Sequence, residues 1–173
     1  SISQYIHELQ NKFPNLEASW NRQEKFHLTL KFFEGIAPDR VTDLSHAAAA
    51  ASKSVPPFPL FVGGSGTFPK NGPPRVLWIG VNDPTDKLHQ LHERLEEECS
   101  QLGLAREERP LHPHVTIARF KKSRGVRDLA REHLELGFPS IEISVKELTV
   151  YRSQLGRNGS TYSVLSTHPI GID

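Results

Sequence analysis

Two short segments of this sequence repeat a pattern of histidine, apolar residue, threonine and apolar residue. The first contains His27 and Thr29, and the second contains His114 and Thr116. Residues two apart on a β-strand point to the same face. Each segment therefore predicts an imidazole and a hydroxyl on one face of a strand, with aliphatic residues on the other. Such a polar face is typical of a strand that lines a cleft.

Two imidazoles and two hydroxyls suit hydrolysis or transesterification of a phosphodiester without a metal. One neutral imidazole can take a proton from the nucleophile while a protonated one gives a proton to the leaving oxygen, because the histidine pKa is about 6.5. Threonine hydroxyls can donate hydrogen bonds to phosphate oxygens on which negative charge develops. A single copy of the pattern is common by chance, but two copies in similar surroundings favour a functional role.

The elements around the motifs predict a mixed α+β fold in which helices and strands alternate. We expect helices over 1–14, 38–54, 83–102 and 125–137, and strands over 26–33, 75–81, 114–120, 139–155 and 160–170, with one short strand inside the turn-rich segment 56–74. Phe33 and Phe120 each follow their motif histidine by six residues. We therefore predict one domain over 1–173, built with pseudo-twofold symmetry from two related lobes that each present one motif strand.

Composition limits the partners of the protein. There are 21 Lys and Arg against 20 Asp and Glu, so a nucleic acid would have to be bound by a local site. The single Cys99 excludes an internal disulfide and favours a cytoplasmic location. The apolar runs are far shorter than the roughly 18 residues of a membrane span, and we expect a monomer.

The remaining histidines do not predict a metal centre. His89 and His92 lie three apart beside Glu93, which is a possible metal corner, but we expect a solvated helix face there. His112 and His114 flank Pro113 and lack a nearby carboxylate or cysteine. We therefore expect no metal.

Four segments carry a resemblance to a known family. FHLTLKFFEG, RVLWIGV, HPHVTIARF and LTVYRSQLGRNGSTY resemble the two-histidine (2H) phosphoesterases, and among them the bacterial and archaeal RNA 2′,3′-cyclic phosphodiesterases, also called 2′-5′ RNA ligases. The resemblance implies a bilobal α+β fold, with two small antiparallel sheets flanked by helices around a central cleft. Members usually begin with a strand before the first helix, and that strand is not seen in this sequence.

The resemblance also implies an activity and residue roles. The family hydrolyses 2′,3′-cyclic phosphate ends of RNA to 2′-phosphomonoesters, and some members join tRNA halves through a 2′-5′ bond, without metal or nucleotide cofactor. Carried to this sequence, His27 is the proton donor and His114 the proton acceptor, while Thr29 and Thr116 hold the phosphate. Arg75, Arg119 and Arg152 are candidates for substrate binding.

Arg119 is an ambiguous candidate, because ideal strand alternation turns it away from His114 and Thr116. It also begins a basic run that continues with Lys121, Lys122, Arg124 and Arg127. We predict that this run forms a rim that contacts the phosphates of an RNA chain, although such runs are commonly solvated turns.

Three alternative functions remain open. The first keeps the fold and changes the substrate to a small cyclic phosphate or a 2′-5′ oligonucleotide. The second is a non-catalytic module that binds RNA ends, which would not require two titratable imidazoles. The third is a histidine-based metallohydrolase, which loss of activity in a chelator would reveal.

Overall fold

The computed structural model describes residues 1–121, 125–156 and 159–171. These ranges contain four helices, α1 to α4, and seven strands, β1 to β7. The helices are Ile2–Lys12, Val41–Ser52, Lys87–Gln101 and Val126–Leu136. The strands are Ser19–Trp20, Phe58–Phe68, Val76–Asn82, His114–Arg119, Ile141–Val145, Glu147–Gly156 and Gly159–Pro169. Within these ranges, no helix combines the length and the apolar character needed to span a membrane.

The strands form two antiparallel sheets. The larger has the order β1-β4-β3-β2-β5, and the smaller consists of β6 and β7. The predicted α+β class with two antiparallel sheets is therefore confirmed. The two sheets differ in size, with five strands against two. The turn-rich segment predicted to hold one short strand forms the 11-residue strand β2. The glycines that suggested turns lie inside β2, where the pairing with β3 shifts register between Gly63 and Gly66.

The chain divides into two compact units. The first comprises 1–29, 61–82 and 113–142, and the second comprises 30–60, 83–112 and 143–173. Strands β2 and β5 contribute residues to both units. All four motif residues belong to the first unit. The division into two related lobes that each present one motif stays a prediction.

The first unit packs α1 and α4 on its sheet. Helix α1 begins with a capping box. The Ser1 side chain accepts a hydrogen bond from the backbone N of Gln4, and the Gln4 side chain accepts one from the backbone N of Ser1. Its apolar face buries Tyr5, Ile6 and Leu9 in a core shared with β3, β4 and α4. This core is the support beneath both motif histidines.

A buried polar chain crosses this core. The Tyr5 hydroxyl lies 2.7 Å from Nδ1 of His133, and Nε2 of His133 lies 3.1 Å from the carbonyl oxygen of Trp78. A carbonyl only accepts, so Nε2 donates and Nδ1 accepts from tyrosine. Burial raises the pKa of Tyr5 to about 12 and lowers the pKa of His133. The neutral pair therefore ties α1 and α4 to strand β3.

The second unit packs α2 against α3, β6 and β7. The buried face of α2 is made of Ala47, Ala48, Ala51 and Ser52, and these small side chains allow close approach, as the alanine run predicts. A buried ion pair lies in the same unit, where Nζ of Lys31 is 2.8 Å from both carboxylate oxygens of Glu96. Both side chains are almost fully buried, at 4% and 1% exposure.

The first motif segment is not a continuous strand. Between β1 and the motif, a 3-10 turn at Gln23–Lys25 interrupts the edge that runs along β4, and only Leu28 then bridges to β4, at Val115. The predicted alternation also fails beyond Thr29. Phe32 is 61% exposed, whereas the Lys31 side chain is buried against Glu96. The second motif forms β4 as predicted.

Candidate active site

The four motif residues meet through one antiparallel bridge. Leu28 pairs with Val115, and residues that flank an antiparallel pair are themselves opposite each other. His27 is therefore the cross-strand neighbour of Thr116, and Thr29 is the neighbour of His114. The two histidines are diagonal neighbours, a relation that separates such residues by about 7–8 Å. We expect that spacing to leave room for one phosphate group between the two rings.

Local structure fixes the tautomer of His27. Its Nδ1 lies 2.8 Å from the carbonyl oxygen of Lys25. Because the carbonyl can only accept, Nδ1 carries the proton, and in the neutral ring Nε2 is the acceptor nitrogen. The 3-10 turn that ends at Lys25 supplies this carbonyl. The turn that interrupts the edge strand therefore determines which ring nitrogen of His27 carries the proton.

Aromatic rings surround His114. The ring centroid of Phe68 lies 5.1 Å away in an edge arrangement, and that of Trp78 lies 6.0 Å away. A Cβ on Gly66 would come within 2.0 Å of the Trp78 ring, so the glycine allows this ring to lie across β2. Sequence reasoning missed both aromatic residues, and the only signal was their place on the strands next to the second motif.

Asn21 is a second residue that the sequence did not single out. Its side-chain Nδ2 donates to the carbonyl oxygen of Thr116 at 2.8 Å, and its backbone N donates to the carbonyl of Ile117 at the same distance. These bonds hold the segment that leads to His27 against the strand that carries His114. We expect Asn21 to position the two motifs.

A β-bulge changes the orientation of Arg119. Leu77 pairs with Ala118, but the next residue of β3, Trp78, pairs with Thr116, so Ile117 is one extra residue in β4. Ile117 and Ala118 are both fully buried, and Arg119 is exposed. The alternation is reset after the bulge, which brings Arg119 to the face of His114 and Thr116. The expectation that it faces away is therefore wrong.

The other basic candidates are distributed differently. Arg75 lies just before β3, and its Nη1 donates to the carbonyl oxygen of Lys121 at 3.0 Å, which is a structural contact. Arg152 is exposed on β6 in the second unit. In the basic run, Lys121 and Arg127 are exposed. Lys122 and Arg124 lie outside the described residues, so the predicted rim stays a prediction.

Among the described residues, one group of side chains could hold a metal ion. It consists of His89, His92 and Glu93 on α3. The expected solvated face is wrong for His92, which is only 5% exposed. None of the four motif residues belongs to this group.

This chain is similar in sequence to known proteins. The model of the 2′-5′ RNA ligase superfamily matches residues 1–157. An RNA 2′,3′-cyclic phosphodiesterase of Thermotoga maritima is 34% identical over 148 residues, which cover 86% of this chain and 77% of that protein. The protein of the same name from Geobacillus stearothermophilus is 33% identical over 153 residues, and the match covers 88% of this chain but 48% of that longer protein.

Solved structures share the fold. A protein of Thermus thermophilus superposes with a TM-score of 0.79 at 22% identity, covering 99% of this chain and 93% of its own. Escherichia coli LigT, crystallised with 3′-AMP, has a TM-score of 0.70 at 26% identity, covering 95% of this chain and 88% of its own. The predicted resemblance is confirmed: the chain belongs to the 2′-5′ RNA ligase superfamily of 2H phosphoesterases.

Proposed function

We propose that this protein hydrolyses 2′,3′-cyclic phosphate ends of RNA to 2′-phosphomonoesters. The observation that carries the proposal is the register of the two motifs, which sets two imidazoles and two hydroxyls on neighbouring positions around the Leu28 and Val115 bridge. The similarity to proteins named RNA 2′,3′-cyclic phosphodiesterase supports this substrate class. Joining of RNA ends through a 2′-5′ bond is a second activity that the family name supports.

The reaction assigns a separate task to each imidazole. His114 takes a proton from water as the water oxygen attacks phosphorus. The bond from phosphorus to the 3′-oxygen breaks, and His27 gives its Nε2 proton to that oxygen. His27 is left neutral with the proton on Nδ1, the tautomer that its hydrogen bond to the Lys25 carbonyl favours. The phosphate remains on the 2′-oxygen.

Three hydrogen-bond donors are placed to hold the phosphate. The hydroxyls of Thr29 and Thr116 lie beside the opposite motif's histidine, and each can donate to a non-bridging oxygen. Arg119, on the same face as Thr116, can add a bidentate contact with its guanidinium group. Developing negative charge would thus meet donors on both strands.

We propose a cytoplasmic, monomeric enzyme that acts without a metal or nucleotide cofactor. The lone Cys99 is buried, which suits a reducing compartment. The near balance of charge supports recognition of an RNA end and not of a long stretch of backbone.

The proposed activity can be tested with two matched substrates. One is an oligoribonucleotide that ends in a 2′,3′-cyclic phosphate, and the other is a cyclic mononucleotide. We expect faster hydrolysis of the oligonucleotide, with an affinity that falls more steeply with salt because more phosphates are contacted. Equal rates and equal salt slopes would favour the small-molecule alternative, and binding without turnover would favour the RNA-end-binding module.

Replacing Arg119 with lysine should weaken binding of the 2′-phosphorylated product RNA by at least about 10-fold. Lysine keeps the charge but loses the bidentate geometry, and one charge-assisted hydrogen bond corresponds to about that factor. The matched control is Arg75→Lys, because Arg75 contacts the Lys121 carbonyl. An unchanged Kd for Arg119→Lys would remove Arg119 from the site.

Hydrolysis should be unaffected by excess EDTA. The motif residues supply a base, an acid and hydrogen-bond donors, so the proposed reaction leaves no task for a metal. The check is the initial rate with and without chelator at several substrate concentrations. Inhibition that added Zn²⁺ or Mn²⁺ reverses would support a metallohydrolase instead.

A further inference from the structure

Three side chains on helix α3 converge at one place. His89, His92 and Glu93 occupy positions i, i+3 and i+4, which share one helix face. Each offers one ligand atom, and these atoms all lie within 4.8 Å of one another. They contain two nitrogens and one carboxylate oxygen. Such a donor set is typical of sites for divalent transition metals.

One of these side chains, His92, has a buried ring nitrogen, Nδ1, without a hydrogen bond to any of the described residues. Leaving a buried polar atom without a partner costs about 1–3 kcal/mol. The position of this nitrogen is therefore explained if it contacts a ligand. Burial lowers the pKa of His92, which keeps the ring in the neutral form that a cation binds.

One pair of these ligand atoms lies close to the separation expected on a metal ion. Nδ1 of His92 lies 3.7 Å from Oε1 of Glu93, and two ligands on a tetrahedral ion with bonds near 2.1 Å are separated by about 3.4 Å. Arg106 holds the other oxygen of Glu93, Oε2, at 2.9 Å. That ion pair orients the carboxylate and leaves Oε1 directed toward His92.

The second ring nitrogen of His92, Nε2, lies near a carboxylate, as is common in metal-binding histidines. Nε2 lies 3.8 Å from Oε1 of Glu96, a carboxylate that is itself buried and paired with Lys31. Histidines that bind metals commonly direct their second nitrogen to a carboxylate, which fixes the ring and makes the coordinating nitrogen more basic. Glu96 provides this supporting carboxylate.

We propose that His89, His92 and Glu93 bind one divalent transition-metal ion of the Zn²⁺ class, with water as the fourth ligand. The site contains none of the motif residues and is not part of the proposed hydrolysis. Imidazole nitrogens disfavour Mg²⁺ and Ca²⁺, which prefer oxygen ligands. Helix α3 therefore carries both groups, the proposed metal ligands and Glu96 of the Lys31 ion pair.

The test is titration of the metal-free protein with Co²⁺, followed by visible absorption, and with Zn²⁺, followed by calorimetry. We expect one equivalent of either ion and the intense d–d absorption of tetrahedral Co²⁺. His89→Ala and Glu93→Gln, both at exposed positions, should each weaken Zn²⁺ binding by at least about 10-fold. His46→Gln, on the exposed face of α2, is the matched control and should bind as the unmodified protein does.

A second measurement, of the unfolding temperature, tests the site without requiring a variant of the buried ligand His92. Zn²⁺ should raise the unfolding temperature of the unmodified protein and of His46→Gln, because a ligand that binds only the folded state stabilises it. His89→Ala and Glu93→Gln should lose most of this increase, whether or not a His92 variant folds. No saturable binding, or equal binding by His89→Ala and Glu93→Gln, would overturn the proposal. Neither measurement uses hydrolysis, so the outcome is independent of the proposed function.

Discussion

Alanine at His27 or at His114 is expected to lower kcat for a cyclic-phosphate RNA end by about 100-fold or more. General acid–base catalysis contributes roughly 10²–10⁴-fold per group, and each histidine serves one of the two proton transfers. The fold should persist, because neither side chain belongs to the core cluster of the first unit. The measurement is steady-state hydrolysis with each purified variant, accompanied by circular dichroism.

The pH dependence of the hydrolysis rate tests whether the two imidazoles act in opposite protonation states. If one imidazole must be neutral while the other is protonated, the rate should follow a bell-shaped curve whose limbs belong to the coupled pair. Each alanine variant should lose one limb. The matched control is His46→Ala, at an exposed position on α2, which should keep both limbs and full turnover. Near-normal kcat in either motif variant would contradict the assigned mechanism.

The second large effect is expected on stability. Replacing Lys31 with methionine should reduce the free energy of unfolding by about 3–5 kcal/mol, because Glu96 would stay buried without a counter-ion. Both side chains are almost fully buried, so solvent does not screen the pair. The backbone N of Glu107 donates to Oε2 of Glu96 at 3.0 Å. In the variant this hydrogen bond would remain, but it compensates the Glu96 charge less than the Lys31 ammonium does. Chemical denaturation measures the loss.

The matched control removes both charges. A Lys31→Met, Glu96→Leu double variant should recover most of the lost stability, since replacing a buried ion pair with apolar groups is often neutral or stabilising. Glu96→Gln alone should be destabilising in the same way as Lys31→Met. A loss under about 1 kcal/mol for Lys31→Met would be typical of a solvent-exposed ion pair. It would mean that this pair contributes little to the free energy of unfolding.

The sequence predicted the helices and the second motif strand well, because their signals are local. The apolar faces of α1 and α3 need no information from distant residues. The same holds for the alternation of His114, Val115 and Thr116, which is complete within β4.

The first motif was harder to predict because its structure depends on distant contacts. The 3-10 turn before His27 and the single bridge to Val115 replace the strand that alternation alone suggests. Lys31 is buried only because Glu96 lies opposite it, and Glu96 is far away in the sequence. A pattern of apolar and polar residues contains no information about such a partner.

Arg119 shows how a single extra residue can reverse a prediction. The alternation of β4 holds up to Ile117. The bulge that begins there depends on the pairing between β3 and β4 and has no signature in the sequence of β4. The aromatic neighbours of His114 were missed for a related reason. Phe68 and Trp78 lie on different strands from the motif, and only the sheet order brings them together.

The most direct test of the central claim is the identity of the product. An oligoribonucleotide with a 2′,3′-cyclic phosphate end is incubated with the protein, and the terminal phosphate is assigned by ³¹P NMR and by sensitivity to a 3′-specific phosphatase. The proposed mechanism predicts a 2′-phosphomonoester, formed in excess EDTA and absent with either motif histidine replaced. A 3′-phosphomonoester, or an end that stays cyclic, would contradict it.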